Sequence, residues 1–252
     1  MILAADNLSK AFGGVHAVAS LTLDVDHGIT AVIGPNGAGK TTFFNLLSGL
    51  YAPTAGTIRH QGQDITALGP VERARRGIQR TFQNLQIFFR MSALENVMVG
   101  ASRRLDLGLL PSLLSLPRVR RESAESRERA AALMIEVGLG DYINSDADSM
   151  PYGALKRLEI ARALAGQPEI LMLDEPAAGL NPRETAEIET LIQRIAAGGT
   201  AVLLVEHDMK LVMSVSARVV VLDYGKLIAD GTPDQVRRDP AVVRAYLGLE
   251  AV

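Results

Sequence analysis

The sequence predicts an α/β fold built around a parallel sheet, on three observations. A glycine-rich stretch from Gly34 to Thr42 stands between the apolar run Ile29-Thr-Ala-Val-Ile33 and the helix-like Phe43-Phe-Asn-Leu-Leu47. Ile170-Leu-Met-Leu-Asp174 and Ala201-Val-Leu-Leu-Val205 are short unbroken apolar runs, the pattern of strands covered on both faces. A helical segment from Arg183 to Ile195 separates them, so strand, helix and strand alternate as a parallel sheet requires.

The elements follow in chain order. Residues 1–33 carry short β-like runs, Leu21-Thr-Leu-Asp-Val25 among them, with turn signals at Gly13-Gly14 and His27-Gly28, and predict a small sheet that feeds the glycine-rich stretch. A helix starts at Lys40. The chain then turns at Pro53-Thr-Ala-Gly56, extends through Thr57-Ile-Arg-His60 and folds back at Gln61-Gly-Gln-Asp64. From about Ser92 to Leu139, Ala, Leu, Glu and Arg recur at helical spacing with breaks at Pro111 and Pro117, which predicts a helical lobe. Within it the apolar run from Leu107 to Leu116 is expected in the core, and Arg118, Arg120 and Arg121 on a solvated helix face. Arg218-Val-Val-Val-Leu-Asp223, a Tyr224-Gly225 turn and Lys226-Leu-Ile-Ala229 predict a hairpin, and a helix from Pro233 to Tyr246 follows.

A chain of 252 residues can bury a sizeable core without disulfides or structural metals. With no cysteine at all, disulfides, thiolate metal sites and cysteine nucleophiles are excluded together, and the default expectation is the cytosol. A net charge of −2 and a pI near 6.1 argue against a protein whose work is neutralising nucleic-acid phosphates. No apolar stretch reaches the ~18 residues of a membrane-spanning helix, and Met1-Ile-Leu-Ala-Ala-Asp6 lacks the basic start of a signal peptide. A hydrophobic content of 48% then implies a well-filled core and some surface meant for a partner.

The chemistry concentrates at the predicted strand ends. Gly34, Pro35, Asn36, Gly37, Ala38, Gly39, Lys40, Thr41 and Thr42 form a phosphate cradle: glycines let backbone N–H groups approach an anion, and the following helix N-terminus adds a favourable dipole. Lys40 supplies a point charge, and Thr41 offers a hydroxyl to Mg²⁺. Asp174 and Glu175 are adjacent acids at the end of an apolar strand, where a bound cation would offset their repulsion; Asp174 is placed to hold Mg²⁺ and Glu175 to polarise the water that attacks a γ-phosphate. Glu206-His207-Asp208 ends the next apolar run, where His207 can contact that phosphate. His16, His27 and His60 are read as surface or core filler.

Taken in order, these motifs resemble the ATP-binding cassette ATPases, the nucleotide-hydrolysing subunits of ABC transporters, over essentially the whole chain. The resemblance implies a P-loop ABC-ATPase fold with a RecA-like core, an N-terminal antiparallel β-subdomain and an α-helical signature subdomain. It implies one cassette over 1–252, with 1–87 and 166–252 forming the core and β-subdomain and 88–165 the helical part. Phe12 sits where the family stacks an aromatic on adenine, and Gln83 in Arg80-Thr-Phe-Gln83 matches the glutamine that senses Mg²⁺ and couples to membrane subunits. Tyr152 and Gly153 open a stretch similar to the family signature, Gly179-Leu-Asn-Pro182 resembles the dimer-contact loop, and His207 the switch histidine.

Two positions depart from the pattern. Where the signature usually reads Leu-Ser-Gly-Gly-Gln, this chain has Met150-Pro-Tyr-Gly-Ala154, and proline supplies neither hydroxyl nor backbone N–H. Asn181 stands where the dimer-contact loop usually carries aspartate. Within the family, Arg157-Leu-Glu-Ile-Ala-Arg162, Asp174-Glu-Pro-Ala-Ala-Gly-Leu-Asn-Pro182 and the ending Gly231-Thr-Pro, Asp239-Pro, Ala245-Tyr-Leu-Gly248 resemble the ATPase subunits of branched-chain amino acid importers. That likeness implies ATP and Mg²⁺ as ligands, a second cassette as homo- or heterodimer partner, two membrane permeases, an extracytoplasmic substrate-binding protein, and a place on the cytoplasmic face of the bacterial inner membrane. The cargo stays open among branched-chain amino acids, urea, short amides and aromatic acids. Lipid or lipopolysaccharide export, and a soluble ATPase of the same fold, are the other readings.

Overall fold

The computed structural model describes the backbone of residues 1–101 and 117–247, and side chains of 1–101 and 124–246. The apolar run 107–116 and the side chains of Arg118, Arg120 and Arg121 lie outside them.

Two sheets share the core. The first is antiparallel in the order β2-β1-β4-β5, from β1 (Leu3–Phe12), β2 (Val15–Val25), β4 (Ala55–His60) and the short β5 (Gln63–Asp64). The turn between β4 and β5 needs left-handed backbone at both central positions, and Gln61 and Gly62 supply it with φ of 50° and 77°. The second sheet runs β10-β9-β3-β8-β7-β6, where β3 is Ile29–Ile33, β6 Ile78–Arg80, β7 Ile170–Asp174, β8 Ala201–Val205, β9 Arg218–Asp223 and β10 Lys226–Gly231. Only β10 pairs antiparallel; the other five strands are parallel. Every residue of β3, β7 and β8 is buried, as continuous apolar runs demand when both sheet faces are covered.

Helices cover those faces. The helix α1 (Lys40–Leu47) carries Phe43 and Phe44, fully buried between the two sheets, and each contributes about 1.5–3 kcal/mol of burial. Its C-terminal carbonyls are held from the following helix α2 (Pro70–Arg75). There the Arg73 guanidinium is 1% exposed and donates to Leu46 O at 2.6 Å and Leu47 O at 2.9 Å. Burial pulls Arg73 down to about 10, still charged at neutral pH. On the far face α3 (Ala93–Ala101), α4 (Pro117–Glu136) and α5 (Tyr152–Ala165) pack together. A Cβ at Gly100 would lie 1.9 Å from Arg162 O, so glycine sets how closely α3 crosses α5.

The helix α6 (Pro182–Ala197) buries Ile188, Leu191, Ile192 and Ile195, one stripe at helical spacing. The chain ends in α7 (Met209–Val215), α8 (Pro233–Arg237) and α9 (Pro240–Leu247). The sequence pattern predicts one helix from Pro233 to Tyr246. The structure has two, because Pro240 has no N–H to continue the first and a φ suited to the first position of the second.

Candidate functional site

Because β3, β8, β7 and β6 run parallel, their carboxyl ends deliver four loops to one edge of the sheet, where open α/β sheets gather ligands. The loop after β3 is the glycine-rich one. Gly34 lies at φ 153° and Gly39 at φ 99°, and a Cβ on either would lie within 2.3 Å of a carbonyl, that of Leu222 or of Ala17. Glycine at these two positions is therefore dictated by both conformation and space. Asn36 and Gly37 face solvent, Ala38 is buried with its N–H on Pro35 O, and Phe43 N–H returns to Gly39 O to start α1, with Thr41 exposed and Thr42 half-buried on its first turn. Lys40 is 6% exposed, and its ammonium donates to Gly34 O at 2.7 Å and Pro35 O at 3.0 Å. Burial lowers its pKa, opposed by the carboxylates of Glu175 and Asp174.

Asp174 ends β7, Glu175 follows it, and the two stand in different surroundings. Asp174 is buried and paired with Arg80 of β6 at 2.7 Å; the same guanidinium donates to Asn45 Oδ1 at 2.6 Å and lies 5.5 Å from the Phe44 ring and 5.1 Å from that of Phe82. Glu175 turns outward on a left-handed backbone, φ 51°, an uncommon conformation for glutamate that marks a constrained site. Its Oε1 lies 2.9 Å from His207 Nε2, and its Oε2 accepts from Gln83 Nε2 at 3.1 Å. Loops from β6, β7 and β8 thus meet at one carboxylate. Glu206, 4% exposed, ties two of them together: one oxygen accepts Ala177 N–H at 2.8 Å, the other His207 N–H at 2.9 Å.

The remaining predicted residues form two other neighbourhoods. Phe12 ends β1, 44% exposed, with its ring edge-on to Tyr51 at 5.4 Å and the Lys10 ammonium 5.1 Å from its centroid. Tyr152 and Gly153 open α5 behind Pro151, whose side chain makes no cap. The Tyr152 ring lies against Gly179, and a Cβ on Gly153 would meet Glu184 Oε1 at 2.4 Å, so this turn packs onto the start of α6. Asn181 caps α6, its Oδ1 accepting from Arg183 and Glu184 N–H at 3.0 Å each. Lys156, 2% exposed, reaches back to donate to Glu175 O at 3.2 Å.

Tyr51, Lys10, Lys156 and the Arg80–Asp174 pair were not legible as site features. Arg80 stands inside a motif the sequence displays, but its partner is 94 residues away and only the β6–β7 pairing reveals it.

The model of the ABC transporter family matches residues 18–178, and that of the branched-chain amino acid ATP-binding cassette transporters matches 226–252. The chain belongs to the ABC transporter family. Members of this family bind and hydrolyse ATP. This cassette is 47% identical over 249 residues to the high-affinity branched-chain amino acid transport ATP-binding protein BraF of Pseudomonas aeruginosa, covering 98% of each chain, and 47% identical with the same coverage to LivG of Escherichia coli K12. It is 38% identical to LptB, the lipopolysaccharide export system ATP-binding protein of Escherichia coli K12, over 98% of this chain and 97% of that one. In three dimensions it is similar to the ADP conformation of MJ1267, an ATP-binding cassette of an ABC transporter, with a TM-score of 0.85, 31% identity and coverage of 98% and 99%. The cassette fold is thereby established.

Proposed function

We propose that this cassette is the ATP-hydrolysing subunit of an importer for branched-chain or related amino acids, working as a dimer beneath two membrane permeases that receive cargo from an extracytoplasmic binding protein. The observation that carries the chemistry is the meeting of Gln83, Glu175 and His207 beside the lysine of the glycine-rich loop. Its cargo class rests on the 46–47% identity to importer subunits and the matched carboxyl-terminal segment. The same likeness supports a peripheral position on the cytoplasmic face of the inner membrane. Among the described residues no helix is long and apolar enough to cross a membrane.

In this reading the loop Gly34–Thr42 grips the phosphates of ATP: Lys40 exchanges its two loop carbonyls for phosphate oxygens, and exposed Phe12, backed by Tyr51, takes the adenine face. Glu175 receives the proton of the attacking water, His207 orients that carboxylate, and Gln83 holds its other oxygen. The donors present suit Mg²⁺, which takes one or two carboxylates, here that of Asp174, and completes its shell with neutral oxygens, water and phosphate. Thr41, Asp174 and Gln83, whose amide nitrogen is engaged by Glu175 and whose carbonyl oxygen is left for a ligand, would hold it, and bound Mg²⁺ would offset the charge on the phosphates. Tyr152 and Gly153 face the nucleotide of the second cassette. The cassette is one domain, with 88–165 as its helical arm and 1–87 with 166–252 as its core. Reconstitution with the permeases tests the assignment: ATP consumption stimulated by a branched-chain amino acid and its binding protein is expected, and stimulation by a lipid cargo alone would overturn it.

A further inference from the structure

On the face opposite α1, the C-terminal helices leave a cavity of about 560 Å³, within the size range of small-molecule sites. Its floor is buried and apolar: Ile33, the last residue before the phosphate loop, with Val236 of α8 and Val242 of α9. Met209 and Met213 of α7 line a wall, and unbranched methionine adapts to ligands of varied shape. Two cations, Lys210 and Arg237, stand exposed on its lining, and neither is paired with an acid among the described residues. Tyr246 closes one side; burial pulls its pKa up, opposed by the backbone N–H of Gly34 that its phenol oxygen faces.

We propose that this cavity binds a small amphipathic carboxylate, its apolar body on Ile33, Val236 and Val242 and its carboxylate between Lys210 and Arg237. The apolar floor and the two exposed cations are complementary to that chemistry; a neutral apolar molecule would leave both cations unused. Occupancy touches two parts of the cassette at once. Ile33 and Tyr246 border Gly34 of the loop, and Met209 and Met213 belong to the helix that follows His207. A ligand here therefore shifts nucleotide affinity, and nucleotide shifts affinity for the ligand by the same factor. This coupling rests on Gly34–Thr42 being the nucleotide loop; binding of the carboxylate does not.

The test uses the intact chain with ¹³C-methyl methionine, titrated with decanoate below its micelle concentration. Saturable shifts of the Met209 and Met213 methyls, assigned through Met209→Leu and Met213→Leu, are expected. The double variant Lys210→Glu/Arg237→Glu should weaken decanoate at least tenfold and leave decanol binding unchanged. Non-saturating shifts, or equal decanoate affinity in the charge-reversed variant, would overturn the site. Shifts produced by phosphatidylglycerol vesicles but not by decanoate would also overturn it, in favour of a membrane-contact patch. Nucleotide affinity measured with and without decanoate, in the parent and in Tyr246→Phe, reads the coupling. A change present in the parent and reduced in the variant supports it; no change in the parent removes the coupling and leaves the site standing.

Discussion

The His207 imidazole and the Glu175 carboxylate lie 2.9 Å apart at the ends of neighbouring parallel strands, and the second carboxylate oxygen is taken by Gln83 at 3.1 Å. A general base works only when held in line with the water it activates, and in the proposed role of Glu175 two side chains would hold it. His207→Ala removes one hold without removing the base. Turnover should fall roughly tenfold to a hundredfold, less than on loss of the base itself, with ATP affinity changed little. Steady-state hydrolysis beside a nucleotide-binding titration separates the two effects.

Lys40 concerns binding instead. Its ammonium is desolvated against two loop carbonyls, and a phosphate is a stronger partner for it. Lys40→Ala loses a charge-assisted bond of about 1.5–3 kcal/mol, roughly a 10- to 150-fold weaker ATP complex, read by calorimetry. Folding should not suffer. Burial disfavours the charged lysine in the native state, which depresses its folded pKa, and the alanine variant is relieved of that penalty.

Arg80→Ala does the opposite, because it leaves Asp174 charged and buried without its cation. Breaking a buried pair in this way costs about 3–5 kcal/mol. At roughly 2–4 °C per kcal/mol for a chain of this size, the thermal midpoint should drop by about 6–20 °C. Circular dichroism melts check it, and an unchanged midpoint would show that the pair is not a stability element.

The signature turn has a testable defect. Pro151 gives α5 no side-chain cap and offers no hydroxyl to the nucleotide of a partner cassette. Pro151→Ser adds a cap of about 0.5–2 kcal/mol and loses about 0.4–1 kcal/mol of unfolded-state restriction, so stability should barely move. A rise in hydrolysis at the site this signature completes, assayed in the assembled dimer with one site inactivated, then reports on the hydroxyl itself. No change at that site would contradict a signature weakened by the missing hydroxyl.

How far these features could be read in advance depended on how local their causes are. The all-apolar strands β3, β7 and β8 and the loop glycines announce themselves, since burial on both faces and close backbone approach each dictate residue type at consecutive positions. The break at Pro240 was equally local and carried its own signal, yet helical spacing on both sides concealed it. Arg80 against Asp174, Tyr51 behind Phe12 and Lys156 under Glu175 join residues 94, 39 and 19 positions apart, and no spacing rule encodes them. Sheet order alone brings the first pair together. Arg73 was silent for the same reason, because its partners are backbone carbonyls, which leave no trace in side-chain identity.

The central claim is that Glu175 is the base of an ATPase whose binding loop is intact. Glu175→Gln keeps size and hydrogen-bonding capacity and removes only the proton acceptor. ATP binding and single-turnover hydrolysis, measured on the same preparation, should show affinity within about threefold of the parent and a rate lower by roughly two to four orders of magnitude. Near-parental turnover in that variant would contradict the account.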